Sequence, residues 1–225
     1  MLIDADTSGA AVLRLEGVSF ARGGQSILDH VSLAVDAGVH HLLLGPSGSG
    51  KTTLLNLVAG LLTPDSGRVV VAGSEISSAA PSARDALRRQ HIGIVFQTIR
   101  LVAALTVAEN LALAQRLAGR PDQSLLHRVL DRLGIARLAG SKPRELSQGE
   151  AQRAAIARAI VTRPTLLLAD EPTSALDDGN AARVADLLLE SAAETGATLL
   201  VATHDARLLA HIPAHLRLGT ETAAC

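Results

Sequence analysis

The sequence has no tryptophan and no tyrosine, and its phenylalanines are limited to Phe20 and Phe96. Proteins that grip a nucleic-acid backbone or stack single-stranded bases rely on a basic excess and on aromatics. Here 21 basic residues face 22 acidic ones, for a formal charge of −1. Nucleic acid is therefore not the expected partner. Cysteine occurs once, as Cys225, so no intrachain disulfide can form, which fits a reducing compartment. Long apolar runs are also missing. A membrane span needs about 20 consecutive apolar residues, whereas the runs at 166–169 and 199–202 are short. The N-terminal MLIDADTSGA lacks a basic region ahead of an apolar stretch, so no secretory leader is expected and the chain is expected to stay cytoplasmic.

Hydrophobic residues nonetheless make up 48% of the sequence against 1% aromatic. The apolar content is leucine, alanine and valine, which suits buried parallel strands and packed helices. A length of 225 residues fits one domain, 1–225, with room for a small lobe. Residues 12–20 and 31–35 alternate as strands joined by a turn at Gly23-Gly24, and 40–44 is a short apolar run. The pattern predicts a helix over 52–62, a turn at 63–67, and strands at 68–72 and 92–96. From 106 to about 163 it is mainly helical, opened by a Thr106/Glu109 capping box and broken at Pro121 and Pro143. Apolar runs at 165–169 and 198–202 follow. This alternation predicts an α/β fold with a mainly parallel sheet, helices on both faces and an N-terminal antiparallel β region. The core comprises 1–97 and 155–225, with a helical lobe inserted at 98–154.

Gly45, Pro46, Ser47, Gly48, Ser49, Gly50, Lys51 and Thr52 fit G-x-x-x-x-G-K-[ST], and Thr53 continues the helix. Glycines let backbone N–H groups turn inward and approach phosphate oxygens, and the following helix adds its dipole. Lys51 is expected at the β- and γ-phosphates, with the Thr52 hydroxyl on magnesium. A second signal is Leu166-Leu-Leu-Ala-Asp170-Glu171-Pro172, which puts two carboxylates at the end of a buried strand. In open α/β sheets that edge binds ligands. Asp170 is expected to hold magnesium through a water, and Glu171 to orient or deprotonate the attacking water. Residues 198–205 repeat the design, with His204 at the tip, as a partner of the γ-phosphate or the water or as an ordinary surface or capping histidine.

Leu146-Ser147-Gln148-Gly149-Glu150 opens another helix, expected over 151–161. Ser147 with Glu150 is a capping box. A cap alone does not require Gly149, whose backbone is free to face an anion, so the segment also reads as a second phosphate binder.

These pieces together resemble an ATP-binding-cassette (ABC) ATPase, the nucleotide-binding subunit of ABC transporters, over nearly the whole chain. The matches run in family order: GPSGSGKTT at 45–53, Gln97, LSQGE at 146–150, LLLADEP at 166–172, SALD at 174–177 and His204, with AGLLTPDSG at 59–67 and LTVAEN at 105–110. The resemblance implies ATP and Mg2+ as ligands and hydrolysis as the reaction. It implies that Gln97 ligates magnesium or water. It further implies a head-to-tail homodimer in the ATP state, in which Ser147, Gln148 and Gly149 of one copy cap the γ-phosphate held by Lys51 of the other, with Asp177 at the contact. The signature departs from the usual LSGGQ, since Gln148 and Glu150 replace a glycine and a glutamine. The adenine-stacking aromatic is also replaced, with Arg22 expected at its position and Phe20 as the alternative.

Short cassettes of this kind resemble the lipoprotein-release, macrolide-export and cell-division group, and the end of the chain soon after His204 suggests no added regulatory domain. The implied partner is a separate membrane permease, which holds the chain on the inner face of the cell membrane. Residues 99–107 are either its docking neighbourhood or ordinary lobe core. A non-transport switch or scaffold is the alternative function. A small-molecule P-loop kinase has no need of Ser147–Glu150 or of Glu171 beside Asp170, and no N-K-x-D is present to read guanine.

Overall fold

A computed structural model describes residues 11–173 and 178–219. Strands β1 (Ala11–Arg22) and β2 (Gln25–Asp36) form an antiparallel hairpin. Its two-residue turn, Gly23-Gly24, has φ of 60° and 80°, the left-handed pair that matches strand twist and that glycine adopts without penalty. β4 (Ser66–Val71) pairs with β1, and β5 (Ser74–Glu75) with β4, completing a four-stranded antiparallel sheet in the order β2-β1-β4-β5.

The second sheet is parallel, in the order β6-β7-β8-β3-β9. It comprises β3 (His41–Leu44), β6 (Ile92–Val95), β7 (Leu166–Asp170), β8 (Thr198–Thr203) and β9 (His215–Arg217). Every residue of β7 and β8 is buried, because both faces of the sheet are covered. Alternate side chains feed two cores. Leu43, Leu166, Leu168, Leu200 and Ala202 join Leu13, Leu15, Val69 and Val71 of the antiparallel sheet and Leu54 and Leu57 of α1 (Lys51–Val58). Leu42, Leu167, Ala169, Leu199 and Val201 face the helices instead. Those are α3 (Val107–Leu117), α4 (Gln123–Arg132), α5 (Gln148–Ile160) and α6 (Asp178–Thr195), contributing Leu111, Leu130, Ile156 and Leu188 among others. The period of two along each strand thus decides which core each residue joins.

Several expected boundaries move. α1 stops at Val58 rather than 62, because Gly60 takes φ 64° and a Schellman motif closes the helix. In it the Leu61 N–H donates to Asn56 O at 2.8 Å and the Gly60 N–H to Leu57 O at 3.0 Å. α5 starts directly after its cap at Ser147, not at 151, and ends at Ile160. It therefore runs as one helix through the expected 154/155 boundary, so the helical segment and the sheet share an element. α2 (Pro81–His91) was not expected; it opens with Pro81 in its first turn and buries no residue fully. The Thr106/Glu109 capping box of α3 is present.

The parallel register fixes the functional edge. Leu44 pairs with Thr203, Asp170 with Ala202, and Val95 with Ala169. The chain leaves β3, β6, β7 and β8 on one edge, carrying Gly45, Gln97, Glu171 and His204 with it.

Candidate functional site

At that edge lies a pocket of about 540 Å³, lined by the loop 47–53 with Gln97, Glu171 and His204. Two glycines set the course of the loop, because a side chain at either would clash or strain the backbone. A Cβ on Gly45 would meet Leu218 O at 2.4 Å and Ser49 Oγ at 2.5 Å. Gly50 holds φ 91°, with Ile27 and Leu28 against it, a conformation that glycine alone adopts readily.

Gly50 is the N-cap of α1, yet no side chain caps that helix and no acidic residue lies in its first turn. The first N–H groups of a helix have no intrahelical acceptor. Here they open on the pocket with a positive dipole end behind them. Ser49 Oγ is buried with no hydrogen-bond partner among the described residues. The loop therefore offers donors to an anion.

Lys51 is 5% exposed. Its Nζ donates to Gly45 O at 2.7 Å and Pro46 O at 3.0 Å, and lies 3.4 Å from Glu171 Oε1. Three acceptors thus match its three donors. The next residue, Thr52, donates its hydroxyl to Asp170 Oδ1 at 3.1 Å. Burial raises the Asp170 carboxyl above the usual aspartate range; the Thr52 hydrogen bond pulls the other way, and the neighbouring Glu171 adds to the rise.

Glu171 stands in the left-handed region at φ 45°, which costs a non-glycine residue about 1–3 kcal/mol and persists only where the surroundings fix it. They do. Its N–H donates to Ala202 O at 2.8 Å. Its Oε2 accepts from the Thr203 hydroxyl at 3.2 Å, and His204 Nδ1 lies 3.0 Å from both oxygens. A carboxylate can only accept, so the His204 proton sits on Nδ1 and Nε2 is left for another partner. Thr203 is itself held, accepting from the Asp205 N–H at 3.0 Å. Asp205 also accepts from Thr173 at 3.2 Å, and the Arg207 guanidinium beside it holds its carboxyl below the usual aspartate range. This bracing by Thr203, Thr173 and Asp205 was not anticipated, since it depends on the juxtaposition of β7 and β8.

Of the expected site residues, the structure thus gathers Ser47 to Thr53, Gln97, Glu171 and His204 around one pocket, with Asp170 hydrogen-bonded to Thr52. Gly45 and Pro46 take part through their carbonyls. Arg22 is not among the lining residues; Gln25, Ser26 and Ile27 of β2 are, and Arg22 pairs with Gln25 across the hairpin turn. Ser147, Gln148 and Gly149 lie away from this pocket, at the start of α5. Asp177 falls outside the described residues.

The geometry agrees with what this chain resembles. The profile of the ABC transporter family matches residues 28–174. The methionine import ATP-binding protein MetN of Caulobacter vibrioides is 41% identical over 190 residues, covering 83% of this chain; the chain spans 57% of that relative's length. The lipoprotein-releasing system ATP-binding protein LolD of Chromohalobacter salexigens is 39% identical, covering 92% of this chain and 90% of its own. Among solved structures, the dimeric bacterial ABC transporter cassette MJ0796 superposes with a TM-score of 0.83 at 32% identity, covering 92% of this chain and 94% of that one. A second dimeric structure of MJ0796, in a post-hydrolysis state with ADP and Pi, gives a TM-score of 0.83 at 31% identity, covering 93% and 96%. With a family profile matched over most of its length and relatives of 41% and 39% identity, this chain, carrying a glycine-rich loop and a carboxylate pair at one sheet edge, belongs to the ABC transporter family of ATP-binding proteins.

Proposed function

We propose that the chain binds ATP with Mg2+ and hydrolyses it as a homodimer that drives a separate membrane permease. The observation that carries this reading is the uncapped start of α1, with Lys51 and Glu171 at the same sheet edge. The N–H groups of Gly48 to Thr53 cradle the phosphates, and Lys51 moves from the Gly45 and Pro46 carbonyls to the β- and γ-phosphates. Thr52, Gln97 and Asp170 would hold the magnesium, Asp170 through a water. The Thr52 hydroxyl and Asp170 Oδ1, 3.1 Å apart, are hard oxygen donors of the kind that magnesium takes beside phosphate oxygens. Magnesium bound there would supply positive charge to offset that of the transferring phosphate. Glu171 takes the proton of the attacking water, and His204 holds Glu171 in place while offering Nε2 to the γ-phosphate or the water.

In the ATP state two copies meet head to tail. Ser147, Gln148 and Gly149 of one cap the γ-phosphate bound by Lys51 of the other, with Asp177 near the contact. Closure is driven by the higher affinity of ATP for the closed dimer. Arg22 stacks on adenine from the hairpin, next to the pocket-lining Gln25.

No helix among the described residues is long and apolar enough to cross a membrane. The route to the membrane is instead a groove of about 340 Å³ between β6, α2, α3 and α5. Leu61, Val102 and Leu117 line it and are 44%, 43% and 57% exposed. Exposed apolar side chains gathered in one groove mark an interaction site, and we assign it to a cytoplasmic helix of the permease, an assignment that has the chain working at the inner membrane face. The import and lipoprotein-releasing names of the relatives favour transport over a scaffold. Val102→Asp combined with Leu117→Asp tests this. ATP binding by the isolated chain stays unchanged, whereas capture of the permease falls about tenfold, as expected for losing central apolar anchors. Undiminished capture removes the groove from this role.

A further inference from the structure

The α5 cap carries a charge where a neutral glutamine would make the same hydrogen bonds. Glu150 Oε2 accepts from the Ser147 N–H at 2.9 Å and from the Ser147 hydroxyl at 2.8 Å, while the Glu150 N–H donates to Ser147 Oγ at 3.4 Å. These hydrogen bonds, and then Arg137, hold the Glu150 carboxyl below the usual glutamate range. In a single copy this charge suits the positive end of the helix. In the proposed dimer the same helix tip meets the terminal phosphate of ATP, and two anions then compete for one set of donors.

The structure places a cation beside one of them. Arg137, in the turn after α4, puts Nη2 2.5 Å from Glu150 Oε1. Its side chain is 71% exposed against 15% for Glu150, so it reaches the carboxylate from the rim. Arg153, one turn along α5, has Nη1 3.8 Å from where a Cβ on Gly149 would stand, which adds a second positive charge near the tip. We infer that Arg137 is a positioning residue for the ATP-bound dimer: by pairing with Glu150 it neutralises the signature cap, so that Ser147 and Gly149 of one copy accept the γ-phosphate bound by the other. This rests on the head-to-tail dimer proposed above.

The test uses the full chain carrying Glu171→Gln, with ATP-driven dimerisation followed by analytical ultracentrifugation. Adding Arg137→Ala weakens the dimer by roughly two- to fivefold, the scale of one exposed ion pair, with a larger loss at low salt than at high. Glu150→Gln keeps the cap and dimerises at least as tightly. With Glu150→Gln present, Arg137→Ala has no further effect, a rescue that a merely structural Arg137 would not show. Arg137→Ala dimerising like its parent, or losing as much with Glu150→Gln present, overturns the assignment while leaving the dimer intact. A Glu171→Gln parent that binds ATP yet stays monomeric overturns the dimer reading itself, and this assignment with it.

Discussion

Glu171→Gln is expected to bind ATP undiminished and to lose hydrolysis by about 10²–10⁴-fold, the contribution of a positioned general base. The substitution is nearly isosteric. The amide oxygen still accepts from Thr203 and from His204, which lie 3.2 Å and 3.0 Å from the carboxylate, so the pocket keeps its shape. What disappears is the capacity to take a proton from water. Also lost is a negative charge 3.4 Å from Lys51, which frees that ammonium for phosphate and favours ATP retention. The variant should therefore accumulate as an ATP-loaded dimer, visible as a doubling of mass when ATP and Mg2+ are added. Normal turnover by this variant would remove Glu171 from its role.

Lys51→Ala acts at the opposite end of the same event. The residue is buried, 5% exposed, and its ammonium carries its function. Its partners are two loop carbonyls and Glu171. In the proposed complex the ammonium pairs with phosphate instead, and truncating one member of a desolvated charge pair costs about 2–5 kcal/mol, so ATP affinity should fall by about 10²-fold or more, at 1.4 kcal/mol per decade. Isothermal titration reads this directly. Without nucleotide the unfolding midpoint should also fall, because Glu171 and the Gly45 and Pro46 carbonyls lose a shared buried cation. Affinity within threefold of the parent would mean that the phosphates are held elsewhere.

The two carrying strands were legible because burial on both faces leaves only apolar residues: 166–169 and 199–202 cannot be mistaken for half-exposed segments. The glycine-rich loop before α1 and the Thr106 and Ser147 caps were legible for a different reason, since each is a local device with its own spacing. What escaped the sequence is tertiary. α2 reads as a polar stretch because it buries nothing fully, so no apolar period marks it. The end of α1 hides in Ala59-Gly60, where only the left-handed backbone of Gly60 shows that the helix has stopped. Glu171 adopts a positive φ that nothing in its side chain announces. Gln25, Ser26 and Ile27 reach the pocket because the hairpin folds back over the loop, and Arg137 meets Glu150 across 13 residues of chain.

If Gly45 to Thr53 cradle phosphate together with a divalent metal, ATP titrated into the purified chain with and without Mg2+ should show saturable, Mg2+-dependent binding, with ADP and free phosphate as the products on standing. No uptake of nucleotide at millimolar ATP and Mg2+ by a folded chain would contradict it.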